Sequence, residues 1–271
     1  MRRVLHLSDL HFGRVDRSSL KPLLRAAWEI GPDLVAVSGD LTQRARRSEF
    51  REARSFLSSL PLPQIVVPGN HDIPLYNPVL RFLMPLKRYK RFISGDIAPM
   101  YVDEEVAALG VNTTRSLVAK GGRINITQVE SICRHFSRLE RGQTRIIVTH
   151  HPFDLPEGYS TVNLVGRSRM AMEKFARCGI DLFLSGHLHI THTGNTARYM
   201  IPGFSALVVQ AGTVTSTRGR GELNSFNLIR IDPPGIEVET HTWRPGALAF
   251  ARSRSSHFMK KEKGWVPADS I

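Results

Sequence analysis

Short runs of consecutive apolar residues recur along the first two thirds of the chain. Each run is too short for a buried helix and is rich in branched residues, which favours a strand buried on both faces. Between the runs, apolar residues are spaced by three and four positions, as in helices that pack one face on a sheet. The pattern predicts five buried strands, at residues 4–7, 34–37, 65–67, 144–149 and 181–184.

The alternation of these runs with helical segments predicts an α/β fold. The first three strands, with one helix that ends at Gly31 and another over residues 46–60, form a β-α-β-α-β unit. Right-handed crossovers make such strands parallel, so their carboxyl ends emerge at one edge of one sheet. Later in the chain the period changes, and antiparallel strands of a second sheet are predicted at residues 199–201, 206–210, 225–231 and 235–243.

Two segments depart from this pattern. Residues 73–101 contain four prolines, which predicts short helices that lie over the strand ends and contribute little to the core. The charge run at residues 87–91 is typical of a solvated face, and an anion-attracting rim is the alternative. We therefore predict a domain over residues 1–245, with an insertion at 73–101, and a flexible basic tail over residues 246–271.

Composition restricts the partners and the compartment. The 271 residues carry a formal charge of +13, which predicts attraction to nucleotides, nucleic acid or acidic lipid headgroups without choosing among them. Cys133 and Cys178 lack a Cys-x-x-Cys spacing and lie in partly apolar contexts, which favours free thiols in a reducing compartment. No apolar run approaches the roughly 18 residues of a spanning helix, and the first run is too short for a signal peptide. A cytoplasmic protein is predicted, with peripheral contact to an anionic membrane left open.

Polar side chains follow all five predicted strands directly. Asp9 and His11 are two positions apart, so an extended chain projects them on the same side. Open α/β sheets place their ligands outside the carboxyl ends of strands. The candidate ligands at the five strand ends are Asp9, His11, Asp40, Asn70, His150, His187 and His189, with His71 beside Asn70.

The mixture of these side chains indicates a metal centre. Imidazole, carboxylate and amide ligands without thiolate suit iron, manganese, cobalt or zinc better than magnesium or calcium. Seven ligands exceed what one ion accepts, which predicts two divalent or trivalent transition-metal ions that share one carboxylate. Two metal ions roughly 3.5–4 Å apart stabilise in-line phosphoryl displacement, so phosphoester hydrolysis is the predicted chemistry.

Five short motifs resemble the motif set of the calcineurin-like metallophosphoesterases, over residues 4 to about 215. They are Asp9-x-His11, Gly39-Asp40, Gly69-Asn70-His71-Asp72, His150-x-Pro152 and Gly186-His187-x-His189. The resemblance implies a four-layer αββα sandwich with a dinuclear metal site at the carboxyl ends of its strands. It also implies a hydrolase in which a metal-bridging hydroxide attacks phosphorus directly.

The resemblance also implies a role for each residue of the motifs. His71 would lie beside the scissile phosphate and either stabilise its charge or protonate the leaving oxygen, while Asp72 would orient His71. His151 would contact the phosphate or support a neighbouring ligand rather than bind a metal. The first metal would be held by Asp9, His11, Asp40 and His189, and the second by Asp40, Asn70, His150 and His187.

Within the family, the segments 8–12, 38–42 and 186–189 are most similar to the bacterial class III cyclic-nucleotide phosphodiesterases. This implies a small-molecule phosphodiester or nucleotide substrate similar to 3′,5′-cyclic AMP. The alternative is a membrane-surface pyrophosphatase that acts on UDP-2,3-diacylglucosamine in the lipid A pathway, which the basic, partly apolar segment 79–92 would suit. That enzyme usually has Arg where this chain has His71, which disfavours it.

Two further functions are less favoured. A DNA-repair nuclease would use the positive charge, but the chain lacks the long capping domain of such nucleases, so nucleic acid is not the predicted partner. A non-enzymatic scaffold of the same fold would have lost metal ligands, whereas all of the expected ligands are present here.

Overall fold

The computed structural model describes residues 1–117, 121–139, 142–217, 221–262 and 264–268. The helices in these ranges are α1 (Arg17–Ile30), α2 (Arg47–Leu57), α3 (Pro78–Leu83), α4 (Lys87–Phe92), α5 (Ile126–Phe136) and α6 (Ser168–Cys178). The strands are β1 (Arg2–Leu7), β2 (Leu34–Val37), β3 (Gln64–Val66), β4 (Met100–Val102), β5 (Val106–Gly110), β6 (Thr144–Val148), β7 (Leu182–Ser185), β8 (His192–Asn195), β9 (Leu207–Gln210), β10 (Ser225–Asp232), β11 (Gly235–Arg244), β12 (Ala249–Lys261) and β13 (Gly264–Pro267). None of these helices combines the length and the hydrophobicity needed to cross a membrane.

The strands form two sheets. The first sheet has the order β13-β12-β11-β10-β1-β2-β3, in which β1, β2 and β3 are parallel and the remaining pairings are antiparallel. The second has the order β4-β5-β6-β7-β9-β8, with parallel inner strands and an antiparallel strand at each edge. Each sheet therefore supplies parallel strands whose carboxyl ends can form a site.

The layers follow from the alternation of side chains along the strands. On β1, Val4 faces the second sheet, whereas Leu5 and Leu7 face α1 and α2. Apolar residues of both sheets pack between them, and α5 and α6 cover the outer face of the second sheet. The predicted four-layer αββα sandwich is confirmed.

The predicted distribution of strands between the sheets is wrong. The strands predicted for the second sheet at 225–231 and 235–243 are β10 and β11, which extend the first sheet because β10 pairs with β1, whereas β9, predicted at 206–210, does lie in the second sheet. Residues 196–199 form a 3-10 turn with Tyr199 buried, where the sequence predicts a strand at 199–201. The apolar pattern identifies a strand but does not identify its neighbour.

The proline-rich segment forms the short helices that the sequence predicts, but one of them belongs to the core. Tyr89 on α4 is fully buried and donates a hydrogen bond to the carbonyl of Val66 at 2.7 Å. Phe92 stacks on Phe50 of α2 at 6.2 Å between ring centroids. In contrast, α3 buries none of its side chains.

The prediction of a flexible tail is also wrong. β12 pairs with β11 along most of its length, and β13 closes the edge of the first sheet. Phe258 and Trp265 are buried between the two sheets, and the Trp265 indole donates to Asp181 at 3.1 Å. Strand pairing and two buried aromatic side chains therefore hold the basic segment in place.

The two cysteines form a disulfide, so the prediction of free thiols is wrong. Cys133 on α5 and Cys178 on α6 are 45 residues apart in sequence, and their Cα atoms are 5.3 Å apart. The contact arises because α5 and α6 pack side by side on the second sheet. The spacing of the two cysteines in the sequence does not predict that these helices are neighbours.

Candidate metal centre

The seven predicted ligands converge between the two sheets. Four of their side chains, from Asp9, His11, Asp40 and His189, are buried and bring their ligand atoms within 4.8 Å of one another. A second group with the same spacing contains His150, His151 and His187. The ends of β1, β2 and β3 of the first sheet thus meet the ends of β6 and β7 of the second.

The first group is built around Asp9. Its Oδ1 atom lies 3.2 Å from His189 Nε2 and 3.4 Å from His11 Nε2. The two imidazole nitrogens are themselves 3.2 Å apart. Three potential ligand atoms therefore point at one small volume.

The second group is completed by Asn70. Its Oδ1 atom lies 3.1 Å from both His150 Nε2 and His187 Nδ1. Asp40 connects the groups, because its Oδ1 is 3.4 Å from His150 Nε2 while its Oδ2 is 3.7 Å from His11 Nε2. One carboxylate thus faces both groups.

Backbone conformation at the strand ends aims these side chains inward. Non-glycine residues rarely adopt positive φ angles, and such residues cluster at functional sites. Five of the ligand candidates have φ between 49° and 77°, namely Asp9, His11, Asp40, His187 and His189. The chain turns sharply at the end of the strand and directs each side chain toward the centre.

Two glycines allow the loops to approach closely. A Cβ atom at Gly69 would collide with the Asp40 side chain and backbone, and one at Gly186 would collide with Ser8 and Asp9. The backbone amide of Asp9 also donates to the Gly39 carbonyl at 3.1 Å. The motif glycines are therefore required by the contacts between loops.

Hydrogen bonds fix the orientation of individual ligands. Ser8 Oγ and the His187 amide donate to Asp9 Oδ2 at 2.6 and 3.0 Å, which leaves Oδ1 directed at the imidazoles. His150 Nδ1 lies 2.8 Å from the carbonyl of Ser38 and donates to it, so Nε2 is the nitrogen that faces the centre.

Electrostatics determines which ligands are charged. Burial would raise the pKa of Asp40, but the charge of His150 and its hydrogen bond lower it well below the usual range. Burial and the charge of His150 lower the pKa of His187 to about 3, and burial also lowers the pKa of His11. The carboxylate is anionic and these two imidazoles are neutral, as metal ligands must be.

His150 is the exception among the imidazoles. Burial would lower its pKa, but the charge of Asp40 raises it to about 9. A metal ion that binds Nε2 must displace this proton, so metal binding at His150 releases a proton.

The donor set fits metal ions. Asp9 Oδ1 is buried and accepts no hydrogen bond within the described chain, although two imidazole nitrogens lie next to it. A buried carboxylate oxygen that accepts no hydrogen bond is unfavourable, and a cation beside it removes the penalty. Nitrogen and oxygen ligands suit borderline transition metals, and the two groups fit two ions.

His71 lies at the mouth of the centre. Its amide donates to Asp40 Oδ1 at 2.8 Å, and its ring centroid is 5.0 Å from that of His11. Its Nδ1 lies 2.8 Å from the carbonyl of Gln43 and donates to it. The ring is partly exposed, unlike the buried ring of His11.

The Asp72 carboxylate is bonded to the loops beside His71, and its expected role in orienting His71 stays a prediction. The buried Asp72 carboxylate accepts hydrogen bonds at 2.9–3.2 Å from the amides of Leu41, Thr42 and Gly69 and from the Thr42 hydroxyl. Burial, with the nearby charge of Asp40, raises its pKa to about 6. Asp72 therefore holds two loops together, and the Gln43 carbonyl orients the His71 ring.

Sequence reasoning missed several residues of the site. Ser8 lies within a motif, but nothing in the sequence indicates that its hydroxyl donates a hydrogen bond to Asp9. Gln43 acts through its backbone, which carries no signature in its side chain. Thr113 Oγ1 contacts His151 Nδ1 at 2.8 Å from a loop that follows β5, far away in sequence.

Comparison with known proteins identifies the family. The sequence profile of the calcineurin-like phosphoesterases matches residues 2–191, and the chain belongs to this family. The glycerophosphodiester phosphodiesterase GpdQ of Enterobacter lignolyticus is 46% identical over 82 residues. That match covers 25% of this chain and 28% of GpdQ, so the chain spans little more than a quarter of that relative.

Solved structures show the same fold. A dimetal phosphatase from Danio rerio has a TM-score of 0.68 at 11% identity, with 96% of this chain and 99% of the other covered. The purple acid phosphatase PPD1 from yellow lupin (Lupinus luteus) seeds has a TM-score of 0.65 at 13% identity, with 94% and 53% covered. The profile thus identifies the family, the solved structures show the same fold, and two groups of side chains that could hold metal ions lie where the strand ends of the two sheets meet.

Proposed function

We propose that the protein is a phosphodiesterase that hydrolyses a small phosphodiester, with 3′,5′-cyclic AMP as the first candidate substrate. The observation that carries the diester assignment is the local similarity to GpdQ, which is named for the hydrolysis of glycerophosphodiesters. A glycerophosphodiester is therefore the second substrate to test. Both have an alkoxide leaving group, which requires a proton.

In this proposal the two groups of side chains hold one metal ion each. Asp9, His11, Asp40 and His189 hold the first, and Asp40, Asn70, His150 and His187 hold the second. The support is that Asp40 directs one oxygen toward each group and Asn70 Oδ1 lies between two imidazoles. When bound, the ions supply a nucleophile near neutral pH and offset charge on the phosphoryl oxygens.

His71 would act on the phosphodiester itself. The Gln43 carbonyl accepts the Nδ1–H, so in this proposal Nε2 would be the nitrogen that acts on the substrate. A protonated ring would stabilise charge on the phosphoryl group or donate its Nε2 proton to the leaving oxygen. Asp72 would be a positioning residue, because it holds the loop that carries Gln43.

The leaving group distinguishes the two roles of His71. We expect His71→Ala to reduce kcat for 3′,5′-cyclic AMP by at least about a hundredfold, the usual contribution of a general acid. With bis-p-nitrophenyl phosphate the loss should be much smaller if His71 is the acid, because p-nitrophenolate leaves without a proton. Equal losses would instead assign it to charge stabilisation. His135→Ala removes an exposed imidazole from α5 and is the matched control.

A substrate panel tests the proposal as a whole. Metal-loaded protein is compared on 3′,5′-cyclic AMP, a glycerophosphodiester, p-nitrophenyl phosphate and UDP-2,3-diacylglucosamine in detergent micelles. Faster turnover of either soluble diester than of the monoester supports the proposal, and turnover of the monoester alone contradicts it.

The lipid nucleotide UDP-2,3-diacylglucosamine is the alternative to a soluble diester. It is favoured by the exposed apolar side chains of α3 beside the basic residues of α4, which would suit contact with an anionic membrane. His71, where the lipid A pathway enzyme usually has Arg, disfavours it. Turnover of the lipid nucleotide alone would establish this alternative.

A further inference from the structure

The helix α3 and its flanks expose an unusual concentration of apolar side chains. Six large apolar residues within ten positions are between 42% and 73% exposed, and we call them the α3 patch: Leu75, Tyr76, Val79, Phe82, Leu83 and Met84. Scattered apolar side chains are normal on a protein surface, whereas a contiguous group marks an interaction site. The α3 patch is thus a candidate interface.

The geometry of α3 gathers these side chains on one side. Val79, Phe82 and Leu83 are separated by three and four positions, so they share a face of the helix. The helix buries none of its own residues. A helix of six residues gains little stability by itself, which leaves an apolar face with no cover in the described chain.

The charge next to the α3 patch is of one sign. No Asp or Glu occurs between Asp72 and Asp96, whereas this stretch contains five basic residues. Arg88 is directed inward and donates to the Ala45 carbonyl at 2.6 Å. Three others on α4 are exposed, and we call them the α4 basic rim: Lys87, Lys90 and Arg91.

We propose that the α3 patch and the α4 basic rim form a docking surface for an anionic lipid bilayer. Apolar side chains enter the boundary between headgroups and acyl chains, while lysine and arginine contact lipid phosphates. A second copy of the chain fits less well, because a symmetric interface would place equal positive charges together. The combination of exposed apolar and exposed basic side chains is what a bilayer surface complements.

The docking surface is connected to the metal centre. Tyr76 of the α3 patch accepts a hydrogen bond from Arg44 and lies under its guanidinium, 4.9 Å from the ring centroid. Arg44 follows Gln43, whose carbonyl holds His71. Docking therefore places the mouth of the centre close to the headgroup layer, and the binding itself does not rest on the proposed hydrolysis.

Sedimentation with vesicles tests the apolar part of this surface. The full chain is mixed with vesicles of phosphatidylcholine alone or of phosphatidylcholine with phosphatidylglycerol. We expect binding to the anionic vesicles and a loss of about tenfold or more in affinity for Phe82→Ser with Leu83→Ser, since about 1.4 kcal/mol corresponds to tenfold. Val162→Ser with Leu248→Ser removes two equally exposed apolar side chains elsewhere and should bind like the wild type.

Charge reversal tests the basic part. Glutamate in place of Lys87, Lys90 and Arg91 should reduce binding by about a hundredfold or more, because each basic residue near an anionic leaflet attracts the lipid phosphates and glutamate repels them. The matched control places glutamate at Arg134, Arg138 and Arg177, which are exposed on or beside α5 and α6. Binding of the wild type should also weaken as the salt concentration rises.

Several results would overturn the proposal. Equal binding to neutral and anionic vesicles would exclude the role of charge, and unchanged binding of the serine double variant would exclude the α3 patch. Absence of vesicle binding, together with a concentration-dependent dimer that the serine variant abolishes, would assign the α3 patch to a second copy of the chain. Unchanged thermal unfolding of the variants shows that they are folded.

Discussion

The two sheets contribute differently to the metal centre. The first sheet supplies every candidate oxygen ligand, from Asp9, Asp40 and Asn70, together with the candidate ligand His11. The second supplies His150, His187 and His189, which are all imidazoles. We refer to these as the oxygen side and the imidazole side.

The oxygen side is braced within its own sheet, whereas the imidazole side depends on contacts between the sheets. The amides of His11 and His71 donate to the Asp40 carbonyl and carboxylate at 3.0 and 2.8 Å. On the imidazole side, His150 is held by the Ser38 carbonyl and the His187 amide by Asp9, both in the first sheet. Hydrogen bonds between the sheets therefore tie the imidazole side to the oxygen side.

The largest effect is expected for Asp40, which faces both groups. Removal of a residue that merely supports a metal ligand typically reduces affinity or activity by about 10- to 100-fold, so Asp40→Ala should exceed a hundredfold. The loss is measured as metal content by mass spectrometry and as kcat on bis-p-nitrophenyl phosphate. Glu157→Ala, which removes an exposed carboxylate, is the control. Retention of two bound metal ions with full turnover would refute the shared role of Asp40.

Removal of the disulfide between α5 and α6 tests whether these two helices position the candidate ligands of the imidazole side. Cys133→Ser with Cys178→Ser opens a link across 45 residues, and such links typically contribute about 2–4 kcal/mol to the free energy of unfolding. Urea unfolding should show this loss while kcat stays unchanged. A fall in kcat would instead show that the α5 and α6 layer holds the imidazole ligands in place.

A smaller effect is expected for Ser8, which orients Asp9. Ser8→Ala removes one donor to Asp9 Oδ2, while the His187 amide remains bonded to it. Metal affinity should fall by about tenfold, the lower end for residues that orient a ligand. Competition with a chelator measures it, and Ser18→Ala on α1 provides an exposed control. An unchanged affinity would mean that the His187 amide alone is sufficient.

The smallest effect is expected for Lys174, whose exposed ion pair with Glu130 spans α5 and α6 at 3.3 Å. Exposed pairs typically contribute less than about 1 kcal/mol, so Lys174→Ala should leave the free energy of unfolding almost unchanged. Thermal unfolding checks this. A loss as large as that of the disulfide variant would show that charge, and not the disulfide, joins the two helices.

The sequence predicts which side chains converge at the strand ends better than it predicts the architecture around them. Asp9, Asp40 and His187 are recognisable because each directly follows a short apolar run, and the end of a buried strand is a local feature. The partner of a strand is not local, so the placement of β10 beside β1 and of Trp265 between the sheets could not be derived from periodicity. The disulfide and the bond from His71 to Gln43 have the same origin, since both depend on which loops and helices meet.

The positive φ angles of five ligand candidates set a limit on how stable this protein can become. Such a conformation costs roughly 1 kcal/mol or more for each non-glycine residue, although Asp and His tolerate it better than most. Summed over five positions, this approaches the net stability of a typical domain, about 5–15 kcal/mol. Glycine at these positions would relax the backbone and remove the ligand, so selection for thermostability alone would tend to erase the centre. Metal ions that bind only the folded chain stabilise it by mass action and so offset the cost of the strained backbone. The melting temperature should therefore rise with metal concentration.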